Sequence, residues 1–252
     1  MSSRIPAIGE LRRICQDPVM HREPFYAKIF SRRISIYITK ALLYTPISAN
    51  QVTILGFLLG IAAGTLFIWG NYWYSITGAV LLQLCFILDG VDGEVARYRG
   101  TSSLRGQYLD GANHTIANPY IFVGLSFGVY ANFHNIEALI FGFSASLSLA
   151  VIWGLSMGRL YLLHKAGIHT DDPGLVNTLA KQTSKRNIKV ANLLRKMSGK
   201  IPMPSNMQVF INAILIGAIF NCLHIILFIF GILLLCELLL RLWLYYSFGF
   251  PE

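Results

Sequence analysis

Asp89, Asp92, Asp110 and His114 are the residues of this chain whose types and spacing could do chemistry. Asp89 and Asp92 stand three apart, and Asp110 and His114 four apart. On helices each spacing puts both side chains on one face. Two helices meeting there would bring four oxygen- or nitrogen-bearing groups to one point. The cluster sits where an apolar run gives way to basic residues. Acidic groups at the edge of a membrane span are costly unless they line an aqueous cavity or hold a cation. The spacing therefore points to a hard, oxygen-liganded metal such as Mg²⁺ or Mn²⁺. A solvated acidic loop at a helix end is the plainer alternative.

The segment from Asp89 to His114 also resembles the CDP-alcohol phosphotransferase family, whose pattern is D-x2-D-G-x2-A-R-x8-G-x3-D-x3-D. Asp89, Asp92, Gly93, Ala96, Arg97, Gly106 and Asp110 match it at every spacing, and His114 stands where the family has a final Asp. A second stretch, Ile47-Ser48-Ala49-Asn50-Gln51-Val52-Thr53, is similar to the family's TPNQVT lead-in to its first span, with Ala49 in place of Pro. Ser31-Arg32-Arg33-Ile34-Ser35 and the DGEVAR wording are similar to members that handle inositol phosphates.

The resemblance implies metal-dependent transfer of a substituted phosphoryl group from a CDP-linked donor to an alcohol acceptor, with release of CMP and no covalent intermediate. The product would be a phospholipid. Asp89, Asp92 and Asp110 would hold one or two Mg²⁺ or Mn²⁺ ions. Gly93, Ala96 and Gly106 would let the nucleotide approach the backbone, Arg97 would contact the donor, and Asn50 would anchor the site from the first span. Arg105 and Arg159 are further candidates for substrate contact, from their positions beside the site. The family's homodimeric state is a further expectation. His114 leaves three readings open. A neutral imidazole, with an unperturbed pKa near 6.5, can be a ligand or a base. Alternatively the metal stoichiometry is altered, or the reaction has been lost. In that last case the chain would be a non-catalytic scaffold or transporter that binds a nucleotide-lipid.

The elements that must position these residues are legible in the composition. The chain is 54% hydrophobic and 13% charged, with mean hydropathy +0.54, which excludes an ordinary soluble domain. Apolar runs fall at 52–69, 72–88, 115–131, 136–157, 207–223 and 225–246, each near the roughly 20 residues a membrane helix needs. The stretch 207–246 would be about twice the bilayer's span as one helix, so it is split at Asn221–His224. The fold class is therefore all-α integral membrane, with six transmembrane helices. Of 21 Lys and Arg, eight precede residue 51, three lie between 97 and 105, nine run from Arg159 to Lys200, and the last is Arg241. The turns Gly70–Asn71, Asn132–Asn135 and Asn221–His224 contain none. Six spans put all 21 on one side, so both termini and the acidic cluster are expected in the cytoplasm. The net charge of +9 then faces anionic lipid and a phosphorylated substrate, with no need of nucleic acid.

Two segments are expected: residues 1–50, a cytoplasmic N-terminal segment, and residues 51–252, the transmembrane domain. The first 24 residues are polar and lack the apolar run of a cleavable signal peptide. From Pro24 to Leu43, Tyr26, Phe30, Ile34, Tyr37 and Ala41 form an apolar stripe, with Lys28, Arg32, Ser35 and Thr39 on another face. That predicts an amphipathic helix in the membrane interface. The basic connection 158–206 has helix formers around Asp172–Lys196. Glu237 and Arg241, four apart in the last span, are expected to neutralise one another. The four cysteines have neither metal nor redox spacing and read as packing residues.

Overall fold

A computed structural model describes residues 5–20, 23, 26–165 and 203–248, and every element in it is helical. Helix α1 (Ile8–Cys15) and the single turn α2 (Asp17–Met20) precede a π-helical turn (Ala27–Ser31) that runs into α3 (Arg32–Leu43). The bundle is then built from α4 (Ala49–Ile68), α5 (Tyr72–Arg99), α6 (Leu104–Phe133), α7 (Ile136–Lys165), α8 (Met207–Ile219) and α9 (Leu223–Phe248). The helix formers around Asp172–Lys196 lie outside the described residues.

Four of these, α4, α5, α7 and α9, contain stretches long and apolar enough to cross a membrane. Helix α6 is long enough at 30 residues, but Asp110, Asn113, His114 and Asn118 interrupt its apolar surface. Helix α8, at 13 residues, extends only about 20 Å, short of the ~30 Å hydrocarbon core. Its early stop is local. Asn221 takes a left-handed φ of 53°, and Cys222 N–H reaches back to the Gly217 carbonyl at 2.7 Å, which divides the long apolar run at the expected place.

Helices α5 and α6 exceed their apolar runs. At 28 and 30 residues they extend about 42 and 45 Å, so several turns project beyond a ~30 Å core. Those turns carry the acidic cluster. The join between them is tight: Gly100, at φ +64°, ends α5, and the Ser103 hydroxyl caps α6 by accepting from Gly106 N–H at 3.2 Å. Only glycine adopts that φ at little strain. A capping box starts α4, with Ser48 N–H donating to Gln51 Oε1 at 2.8 Å and Gln51 N–H to Ser48 Oγ at 3.3 Å.

The three basic-free turns meet at one end of the bundle. Asn132 Nδ2 donates to the Gly70 carbonyl at 2.7 Å, Tyr72 OH to Ile219 O at 3.3 Å, and the Phe133 and His224 rings lie 4.8 Å apart. The α4–α6 crossing is close because its contacts are glycines. A Cβ on Gly124 would lie 1.9 Å from Gly64 O, and one on Gly128 2.0 Å from Phe67 O. Small residues allow this backbone approach where lipid removes the usual hydrophobic drive between helices. Phe67, Phe122, Leu125, Phe210 and Ile214 fill the core around it.

The N-terminal segment docks through its polar face. Ser35, Ile36 and Thr39 of α3 are fully buried, while Phe30, Ile34 and Tyr37 of the apolar stripe are exposed. The anchor is Glu94 on α5, itself fully buried. Its carboxylate accepts from Ser35 Oγ and Thr39 Oγ1 at 2.6 Å each, Gln16 Nε2 at 2.8 Å and Arg32 Nη1 at 3.2 Å. Arg32 also pairs with Glu23 and donates to the Gly90 carbonyl at 2.9 Å. Burial alone would lower its pKa, but the Glu23 and Glu94 carboxylates raise it above the ordinary arginine value. Glu94→Ala strands these donors, and breaking a buried pair of this kind destabilises by about 3–5 kcal/mol. Thermal unfolding of the detergent-purified variant measures it. A melting point equal to wild type would remove Glu94 as the anchor.

Candidate metal and phosphate site

The projecting ends of α5 and α6 bring Asp89, Asp110 and His114 together, with one ligand atom from each within 4.8 Å of the others. His114 Nε2 lies 3.0 Å from Asp89 Oδ1 and 3.4 Å from Asp110 Oδ1. The ring is buried, and its other nitrogen, Nδ1, lies 3.2 Å from Asn118 Nδ2. Asp92 stands beside this trio, and its Oδ2 accepts a 2.6 Å hydrogen bond from Thr53 Oγ1 of α4.

A cavity of about 410 Å³ opens over these carboxylates. Asp89, Asp92 and Asp110 line it, with Asn50 and Thr53 from α4 and Gly93, Ala96 and Arg97 from α5. Gly106 of α6 completes one wall, and Arg32 and Arg99 contribute further positive charge. His114 lines instead a second cavity of about 20 Å³, room for roughly one water, which shares Thr53, Asp89 and Asp92 with the first.

The donor set fits a hard divalent cation. It is three carboxylates and one imidazole, and Asp110 Oδ1 is buried with no hydrogen bond to satisfy it. That oxygen faces His114 Nε2 at 3.4 Å without a formed hydrogen bond, and a bound cation would complete it.

The expected substrate contacts fall into three groups. Asn50, Gly93, Ala96, Arg97 and Gly106 all reach the cavity. Asn50 Oδ1 would be 3.5 Å from a Cβ on Gly106, ordinary contact distance, so protein packing does not demand glycine there. A Cβ on Gly93 would come within 3.1 Å of the Arg97 guanidinium. Arg97 also donates from Nε to the Cys15 carbonyl at 2.6 Å, which ties α1 to the cavity wall. Arg105 is exposed and does not line the cavity. The side chain of Arg159 lies outside the described residues. Glu237 is elsewhere, accepting from Ser205 Oγ and Arg241 Nη2 at 2.6 Å each, so its expected pairing with Arg241 is present.

Sequence reasoning assigned no site role to Arg32, Thr53, Arg99, Asn118 or Trp153, although Arg32 and Thr53 lie within the two stretches that resemble the family. Arg99 donates to the carbonyls of Ile47 at 2.6 Å and Thr45 at 2.8 Å, which fixes the loop that delivers Ser48 and Asn50. Asn118 was findable, being one helical turn from His114. Trp153 lies on another helix, and nothing in the local sequence marks it.

Carboxylates gathered at one end of an apolar helical bundle, beneath an arginine-lined cavity, place this chain among membrane-embedded transferases. The profile of the CDP-alcohol phosphatidyltransferase family matches residues 46–243, and the chain belongs to that family. Among curated relatives, the bifunctional IPC transferase and DIPP synthase of Rubrobacter xylanophilus is 42% identical over 87 residues, 34% of this chain and 19% of that protein. The archaetidylinositol phosphate synthase of Pyrococcus horikoshii is 33% identical over 91 residues, 36% of this chain and 47% of that one. The phosphatidylinositol phosphate synthase of Mycobacterium tuberculosis is 32% identical over 107 residues, 42% of this chain and 48% of that one. Each match thus spans less than half of the relative's length. Crystal structures of the mycobacterial synthase share the fold. The one with CDP-DAG bound superposes with TM-score 0.60 at 18% identity, covering 85% of this chain and 94% of that one. The one with manganese and citrate gives 0.52 at 19% identity, covering 85% and 90%.

Proposed function

We propose that this chain transfers a substituted phosphoryl group from a CDP-linked donor, of the CDP-diacylglycerol kind, to a hydroxyl of a phosphorylated polyol such as an inositol phosphate, releasing CMP in phospholipid biosynthesis. The observation that carries this reading is the convergence of Asp89, Asp110 and His114, with Asp92 alongside, beside a cavity lined by Arg32, Arg97 and Arg99. The relatives named as archaetidylinositol phosphate synthase and phosphatidylinositol phosphate synthase support the acceptor class.

In the reaction, the acceptor oxygen attacks the donor phosphorus that carries the alcohol substituent. The bond from that phosphorus to the bridging oxygen breaks, and the oxygen leaves with CMP. Asp89, Asp92, Asp110 and His114 would hold Mg²⁺ or Mn²⁺, which neutralises charge on the pyrophosphate oxygens when bound. Asp110, which lines the cavity with Asp89 and Asp92, would take the acceptor's proton. His114 touches Asp89 and Asp110 and does not line the larger cavity, so it would act on the acceptor through them or through a shared ion. Gly93 and Ala96 leave the α5 backbone open to the nucleotide, and Arg97 stands beside them for its phosphates. Purified protein given CDP-diacylglycerol, Mn²⁺ and inositol phosphate should release CMP. Release of none, with that acceptor or with glycerol phosphate, serine or a lipid alcohol, would sink the reading.

The same reading sets the topology. Six spans place both termini and the acidic cluster on the cytoplasmic side, with α3 lying in the interface and its exposed Phe30, Ile34 and Tyr37 toward lipid. Cys222, in the basic-free turns, should label from outside. A cysteine introduced at exposed Arg13, with the native cysteines replaced, should label only from inside. The reverse pattern would overturn the orientation.

A further inference from the structure

Position 114 carries an imidazole where the family pattern has a carboxylate, and the structure gives that ring a stacking contact a carboxylate could not use. Trp153 of α7 stacks on it, with ring centroids 4.6 Å apart and planes tilted by only 23°. Asn118 meets Nδ1 at 3.2 Å, leaving Nε2 directed at Asp89 and Asp110. One turn along α7, Met157 packs against Gly111, where an added Cβ would lie 1.9 Å from the Met157 sulfur. The Met157 side chain therefore fills the space over Gly111 and joins α6 to α7 one turn from Trp153. The indole Nε1 is buried without a hydrogen-bond partner. Its N–H gains nothing from this place, so the ring face is what the position uses.

We propose that Trp153 is a positioning residue for His114, holding the imidazole so that Nε2 stays aimed at the acidic pair. This rests on the metal-site reading above. A histidine has two rotatable side-chain bonds, and an unsupported ring would spend much of its time turned away from Asp89 and Asp110. The stack removes that freedom. Edge and face are then both fixed, by Asn118 and Trp153. When Nε2 binds a cation, the ring proton belongs on Nδ1, and a half-turn of the Asn118 amide presents Oδ1 to accept it.

The test is a double-mutant cycle read by Mn²⁺ binding, followed by electron paramagnetic resonance on the full-length protein in detergent. Trp153→Leu should weaken Mn²⁺ binding on the order of three- to tenfold, the range that aromatic-pair energies convert to. Trp153→Phe, which keeps a flat ring, should recover most of that loss. In a His114→Asp background Trp153→Leu should weaken binding no further, because no ring remains to be held. If the leucine variant is not recovered as monodisperse protein, Trp153→Met carries the same comparison. Equal losses in both backgrounds would show that Trp153 only packs helices, and would overturn the proposal. So would wild-type affinity in Trp153→Leu. A wild-type protein that binds no Mn²⁺ would instead overturn the metal-site reading, and this proposal with it.

Discussion

Asn in place of Asp89, Asp92 or Asp110 is expected to abolish CMP release while leaving the fold intact. The substitution keeps side-chain shape and removes one negative charge. Losing an outer hydrogen-bond partner of a metal ligand typically costs roughly 10–100-fold, and losing a ligand should exceed that. Stability separates this from a folding defect. Without metal, three carboxylates crowd one site, so Asp92→Asn and Asp110→Asn in a chelator should melt no lower than wild type, while Asp89→Asn also loses its 3.0 Å contact with His114. Added Mn²⁺ should then stabilise wild type alone, by about 2.7 kcal/mol at a hundred times its dissociation constant. A chelator should reproduce the loss of activity, and Mg²⁺ or Mn²⁺ should restore it. Full activity in any two of the three variants would dismiss the site.

His114→Ala is expected to lower the rate by roughly 10²–10⁴, the range for loss of an acid–base group, and metal binding tells which role was lost. The ring touches the two carboxylates and does not line the larger cavity, so the ligand role is the one expected, and Mn²⁺ affinity should fall with the rate. A slow variant with wild-type Mn²⁺ affinity would assign His114 to proton transfer through Asp110. His114→Asp should keep measurable activity, since it restores the family pattern and an anionic ligand. It should stay below wild type, because a short carboxylate leaves Trp153 and Asn118 without the ring they contact. An alanine variant as fast as wild type would reduce His114 to packing.

The parts of this molecule that could be read from sequence are those whose information is local. Spacings of three and four along α5 and α6 put the acidic groups on shared faces, and basic-free turns marked one end of the bundle. What could not be read depends on pairs distant in the chain. Glu94 lies between motif residues and looks like one more surface charge. Its partners Gln16, Arg32, Ser35 and Thr39 are 55 to 78 residues away. The apolar stripe of the N-terminal helix was visible, but periodicity alone cannot say which face meets protein. Next to a bilayer the apolar face has lipid as its partner, and the polar face turns inward to a buried carboxylate. The break after α8 was legible too, since the backbone turns at Asn221 where the long apolar run was divided, although the helix itself already ends at Ile219.

The Glu94 anchor imposes an order on biosynthesis. The helix that docks on it is made first, and Arg32 is 62 residues ahead of its partner. At about 5–20 residues per second the ribosome needs roughly 3–12 s to supply the difference. Through that interval Ser35 and Thr39 have no carboxylate to receive them, Arg32 has only Glu23, and the exposed apolar face of α3 has the membrane surface to go to. The nascent chain would thus wait at the bilayer with its cavity wall undocked, and the arrival of α5 would at once complete its own span and close the wall around the acidic cluster.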